Sequence, residues 1–287
     1  MRSSFLKDNK KKFIILALLI IVPSTVGIIF AINIISSSNL QPPIVIESNA
    51  DFVSYEFPGN GTIESPYIIE NYRIGGTGSS SIGIRVSNTN SYFIIRNCFV
   101  RVGYIGINLM DVSAGTAWII NNTCISYTGD GGGIGIGNTL NCTIIGNTCT
   151  NFMQGIHLNY ASYCLIKLNI IENNNYQGIN IRYSSHNVIV NNNVKMNPQH
   201  GIALVGNANW NKIYNNILID NAYEENYNVD GRLTGPIDSQ AFDEGNNNLW
   251  HDDVKKQGNY WSDYLGIGNY SIDGPAGTED IYPFDVN

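Results

Sequence analysis

Short apolar runs separated by polar breaks return along this chain on a steady beat. An Ile followed three residues later by an Asn occurs in FIIRN (93–97), WIINN (118–122), TIIGN (143–147), LIKLN (165–169), VIVNN (188–192) and KIYNN (212–216). The asparagines, Asn97, Asn122, Asn147, Asn169, Asn192 and Asn216, are spaced by 25, 25, 22, 23 and 24 residues. A second phrase, Gly–Ile–any–aliphatic, interleaves with the first: GIRV (83–86), GINL (106–109), GIGI (133–136), GIHL (155–158), GINI (178–181) and GIAL (201–204). Whole stretches return as well, GIHLNYASYCLIKLN at 155–169 being answered by GINIRYSSHNVIVNN at 178–192. Two columns sharing one elastic period of 20–50 residues mark a repeat architecture.

The runs are strand-length, with two or three in each period. A propeller blade needs four strands and about 40 residues, so it does not fit. A leucine-rich repeat has another consensus and a helical half that is missing here. The pattern therefore predicts an all-β parallel β-helix of about six coils plus caps, each coil stacked on the last at about 4.8 Å. Ile94, Ile119, Ile144, Ile166, Ile189 and Ile213 are expected to form one inward column. Ile84, Ile107, Ile134, Ile156, Ile179 and Ile202 should form a second. Each buried Ile stabilises such a thin core by roughly 1.5–3 kcal/mol. The repeated asparagines are expected to stack at a bend and hydrogen-bond from coil to coil. Parallel crossovers are right-handed as a rule, so the helix should be too.

Ahead of the repeats lies a different pattern. Residues 13–35, FIILALLIIVPSTVGIIFAINII, carry no charge and match the roughly 20 residues a membrane-spanning helix needs. Arg2, Lys7, Lys10, Lys11 and Lys12 precede it, and positive charge stays cytoplasmic. The reading is a cytoplasmic segment 1–12, a signal anchor 13–35, a polar tether 36–50 and an extracytoplasmic β-helix 51–287 whose cap begins near 239. The alternative is a long cleavable signal with a poor cleavage region at 36–38.

Composition narrows the partners. Only 14% of the residues are charged and the net charge is −7, with no basic surface outside the N-terminus. A nucleic-acid partner is thereby excluded.

Two flanking segments add a resemblance to the repeats. GNGTIESPYII (59–69) opens the domain, and AFDEGNNNLW (241–250) followed by GNYWSDY (258–264) closes it. With the repeats, they resemble the right-handed parallel β-helix family around the NosD-type periplasmic proteins and the carbohydrate-binding and sugar-hydrolase β-helix domains. That resemblance covers about residues 51–287. It implies either carbohydrate binding or cleavage, or an accessory role in maturing a copper enzyme. The Asp- and Gly-rich run that follows the closing motif in many members is shortened here to LGIGNYSIDGPAGTEDIYP (265–283), which weakens any metal role for it.

Chemistry is sparse along the coils. Glycoside cleavage needs two carboxylates across the scissile bond. Yet Glu172 is the only acid between residues 131 and 219. Asp252, Asp253, Asp263, Asp273, Glu279 and Asp280 crowd in the cap, where they read as solvated turn and capping acids. No catalytic set is visible, and no cofactor motif. His157, His186, His200 and His251 show no paired spacing, and Met110, Met153 and Met196 are scattered, so no copper site is drawn. Cys124 should stack on Cys149 and Cys142 on Cys164, as buried thiols or, in an oxidising compartment, as disulfides. Cys98 is left without a stacking partner. Asn60, Asn121, Asn141 and Asn269 each begin an Asn-x-Ser/Thr sequon.

Strand alternation then singles out one outward patch on two adjacent coils. It comprises His157, Asn159, Tyr160 and Tyr163 with Asn180, Arg182, Tyr183 and His186. Aromatic rings, a guanidinium and amides on a rigid sheet suit a glycan or surface polymer. The expected role is binding or scaffolding at the cell surface; a carbohydrate-active enzyme, a NosD-like accessory factor and a purely structural protein remain the alternatives.

Overall fold

The computed structural model describes residues 39–223 and 239–284, with the backbone of 228–229 and 232–233. Residues 13–35 lie outside them, and no helix among the described residues is long and apolar enough to cross a membrane. The chain winds into a parallel β-solenoid of about six turns. Its walls are three parallel sheets of eight, seven and eight strands. The first sheet runs through Ile44–Ile46, Ile82–Thr89, Ile105–Val112, Gly132–Gly137, Gln154–Asn159, Gln177–Arg182, Ile202–Val205 and Ala241–Asp243. The first strand thus begins within the stretch read as a tether.

Period-2 alternation sends every second side chain of each strand into the narrow interior. The column Ile84, Ile107, Ile134, Ile156, Ile179, Ile202 stacks in register and is buried throughout. The glycine that opens each phrase has a steric cause. A Cβ on Gly133 would lie 2.5 Å from the Gly155 carbonyl oxygen and 2.6 Å from Cys149 Cβ.

The second column differs from expectation in its first coil. Ile95, not Ile94, pairs with Ile119 and faces inward; Ile94 is only half-buried. Phe93 sets the phase, because it is fully buried and packs 5.5 Å from Phe52. Shifting the strand by one residue would expel that ring. Consequently Asn97 does not join the ladder; it adopts a left-handed φ of 54° at the corner. Cys98 takes the ladder place and donates its N–H to Asn122 Oδ1 at 3.0 Å, so it does have a stacking neighbour.

From Asn122 onward the ladder is regular. Asn147 donates through N and Nδ2 to Asn169 Oδ1 at 2.8 and 3.0 Å, and Nδ2 also reaches the Ile119 carbonyl at 2.9 Å. Each buried amide thereby satisfies backbone groups that a bend leaves open. Two further ladders stand at other corners, Asn174–Asn197–Asn221 and Asn187–Asn211–Asn248.

Both ends are closed by aromatic lids. The helix Asn49–Ser54 lays Phe52 on Tyr67, with ring centres 4.7 Å apart. At the other end the closing motif and the residue before it supply the ladder terminators: Asn259 receives Asn216, Asn248 receives Asn211, and Gln240 receives Asn221. The cap acids are not uniformly solvated turn residues, as their sequence suggests. Asp280 is buried and accepts the Trp261 indole N–H at 3.0 Å, while Asp252 is buried and pairs with Lys212 at 3.1 Å. Asp243, which sequence reading passed over, accepts from Trp250 Nε1 at 2.9 Å. Burial raises the Asp280 carboxyl above its ordinary range. The Lys255 backbone N–H leads the bonds that lower Asp252.

Candidate functional site

On the outer face of the first sheet, His157 stands beside Asn180 and Asn159 beside Arg182, as alternation requires. Asn180 and His157 continue a column in which the preceding coil contributes Gly135 and the following one Ala203. The His157 ring packs close over Gly135, where a Cβ would lie 3.3 Å from Nδ1. A recess of about 460 Å³ lies on this face. Six of the eight patch residues line it: His157, Asn159, Tyr160, Asn180, Arg182 and Tyr183. Met153, Gln154 and Tyr176 join them.

Gln154 and Tyr176 were not singled out from sequence. The signal was present, since Gln precedes Gly in both QGIHL and QGINI. Gln154 Nε2 donates to Gln177 Oε1 at 3.0 Å, and Asn180 Nδ2 donates to the same oxygen. These amides are therefore held in place. Asn159 Oδ1 is buried with no donor among the described residues, which leaves an acceptor at the recess wall. Burial, and then the Arg182 charge, hold His157 below the ordinary imidazole range, so the ring is neutral at pH 7.

The aromatic residues sit at the turn that follows the strand. Tyr160 and Tyr183 stack at 5.0 Å, and the Arg182 guanidinium lies 5.0 Å from the Tyr183 ring centre. Gly206 meets the far face of Tyr183, where a Cβ would come within 2.4 Å of the ring. Both faces of Tyr183 are thus covered. Face-on contact with a ligand is left to Tyr160, a residue that is 55% exposed.

Tyr163 and His186 lie outside the recess, in a second stack at 4.8 Å. Trp210 extends it at 6.4 Å from His186. Trp210 was missed in sequence, although it occupies the same place in the repeat. All five aromatic residues have left-handed backbone, with φ between 48° and 61°. Bulky side chains are rare there.

The lone central acid is accounted for: Glu172 pairs with Lys195 at 2.8 Å. All four sequon asparagines, Asn60, Asn121, Asn141 and Asn269, are exposed.

The sequence model of a family described as periplasmic copper-binding protein (NosD) matches residues 44–266. The chain belongs to the NosD family. Its β-helix is accordingly extracytoplasmic. No curated protein matches the chain.

Copper binding in the NosD description invites a test against the donors present. No three His, Cys, Asp or Glu side chains gather as a metal-ligand group among the described residues. The histidines stay apart: His157 in the recess, His186 in the outer stack, His200 near Asp273 and His251 near Asp253. Soft donors do meet in twos. Cys124 stacks on Cys149 in register, and the Cys142 N–H reaches Cys164 Sγ at 3.4 Å. All five cysteines are buried and free.

Proposed function

We propose that this NosD-family protein is a membrane-anchored β-helix that binds a polyhydroxylated ligand of the glycan class at the recess. In this reading residues 13–35 form the anchor, residues 1–12 remain cytoplasmic, and the solenoid is right-handed. One observation carries the proposal: aromatic side chains occupy left-handed corner positions on adjacent coils beside an ordered amide wall. The backbone there favours Asn or Gly, and a bulky residue costs of order 1–2 kcal/mol. Such strain, concentrated beside a polar recess, is the signature of a surface kept for recognition. Arg182 and the amides of Gln154, Asn159 and Asn180 offer donors and acceptors to hydroxyls, while Tyr160 offers a ring face.

A glycan-array screen of the purified protein tests this reading. Hits that are lost on changing Tyr160 and Arg182 together support it. An array with no hit, or hits indifferent to that change, refutes it. A second reading, an accessory role in copper-enzyme maturation, is favoured by family membership and by the paired thiols.

A further inference from the structure

The column at the corner leading into the second sheet changes chemistry along the solenoid. From strand register it runs Tyr67, Phe93, Ala117, Cys142, Cys164, Asn187, Asn211. Aromatic and apolar residues fill its beginning, hydrogen-bonded asparagines its end. The two thiols stand between, 2% and 1% exposed. Unlike Cys124 and Cys149, which lie under the glycine column, this pair is surrounded by backbone donors and acceptors. Cys142 N–H points at Cys164 Sγ at 3.4 Å, Cys164 N–H bonds Asn187 Oδ1 at 2.8 Å, and Cys164 Sγ lies 3.5 Å from the Ser162 carbonyl. The exposed turn residues Asn141 and Tyr163 immediately precede the two cysteines, so the pair lies one residue from solvent.

Stacked positions in paired strands are about 4.8 Å apart. A disulfide wants its Cβ atoms about 3.8 Å apart, so bridging requires the coils to pinch. Two metal–thiolate bonds of about 2.3 Å laid end to end span about 4.6 Å, close to the natural coil spacing. A soft monovalent ion that accepts two thiolates in line therefore matches the coil spacing better than a disulfide does.

We propose that Cys142 and Cys164 form a two-sulfur site for a cuprous ion. Binding follows Cu⁺ + 2 RSH → [Cu(SR)₂]⁻ + 2 H⁺, with no change of oxidation state. The anion formed is stabilised by the Cys142 N–H. The proposal is independent of glycan binding and deepens the copper reading.

The test titrates the reduced full-length protein with cuprous ion against a chromophoric cuprous chelator, following thiolate-to-copper absorption in the ultraviolet. The wild type is expected to withdraw a single ion per chain. Cys142→Ala with Cys164→Ala should abolish uptake, and Cys124→Ala with Cys149→Ala should leave it intact. Alanine is the native residue one coil earlier in the column, so the first variant is expected to fold, as its circular dichroism and melting curve will show. Uptake that survives the first variant overturns the site but not the copper reading. Absence of uptake by folded wild type overturns both. A Cys142–Cys164 disulfide in protein isolated from the cell envelope also overturns the site.

Discussion

Two sets of corners in this solenoid make the same backbone demand and meet it with different residues. At the corner before the main ladder, the left-handed positions are Asn97, Asn121, Gly146, Leu168, Asn191 and Asn215. Apart from Leu168, these are the residues that adopt such angles at least expense. At the recess and in the outer stack beside it, the equivalent series run Asn138, Tyr160, Tyr183, Gly206 and Asn141, Tyr163, His186, Trp210, Asn247. Aromatics appear there only in the middle coils, flanked by Asn or Gly on either side. Where the fold alone chooses, the residue is Asn or Gly at every one of these positions but Leu168. Where rings intrude, something other than stability has chosen them.

The ladder side of the comparison should break most severely. Asn169→Leu removes the acceptor for Asn147 N and Nδ2 and the donor to the Ile144 carbonyl, all buried. Leaving those groups unpaired is expected to cost about 3–5 kcal/mol in urea denaturation. A loss under about 1 kcal/mol would mean the ladder is ornamental.

The aromatic side should break in binding instead. Tyr160→Ala with Arg182→Ala is expected to weaken a glycan ligand at least tenfold, about 1.4 kcal/mol, while the melting temperature stays near wild type. Unchanged affinity on isothermal titration would move the ligand elsewhere.

Exchanging the corners sharpens the contrast. Tyr163→Asn and His186→Asn should leave stability unchanged or raise it by up to about 1 kcal/mol, since Asn accepts the left-handed angle. Asn191→Tyr, the reverse exchange at the ladder corner, should lower it by about 1 kcal/mol. Equal responses at both corners would remove the argument from strain.

The smallest effect is electrostatic. Burial is the larger cause of the depressed His157 pKa and Arg182 the smaller. Arg182→Ala should therefore raise that pKa part of the way toward its ordinary value in an NMR titration. A fall would show that the guanidinium does not face the imidazole.

Sequence alone determined the repeat, its period, the inward Ile column of the first sheet and the outward patch, because a stacked coil imposes the same local rule every time. It also placed Cys124 on Cys149, which needs only counting from a common reference. What it missed depended on contacts between segments far apart in the chain. The phase of the first coil was decided by Phe93 meeting Phe52, 41 positions earlier, and so Ile95 rather than Ile94 turned inward. The burial of Asp243, Asp252 and Asp280 depended on indoles and a lysine brought over by the closing cap. In the recess, alternation predicted which side chains point outward, but not that Tyr183 would lose both faces to Tyr160 and Gly206. Local periodicity tells a side chain which way to point; only the assembled neighbours decide what it meets there.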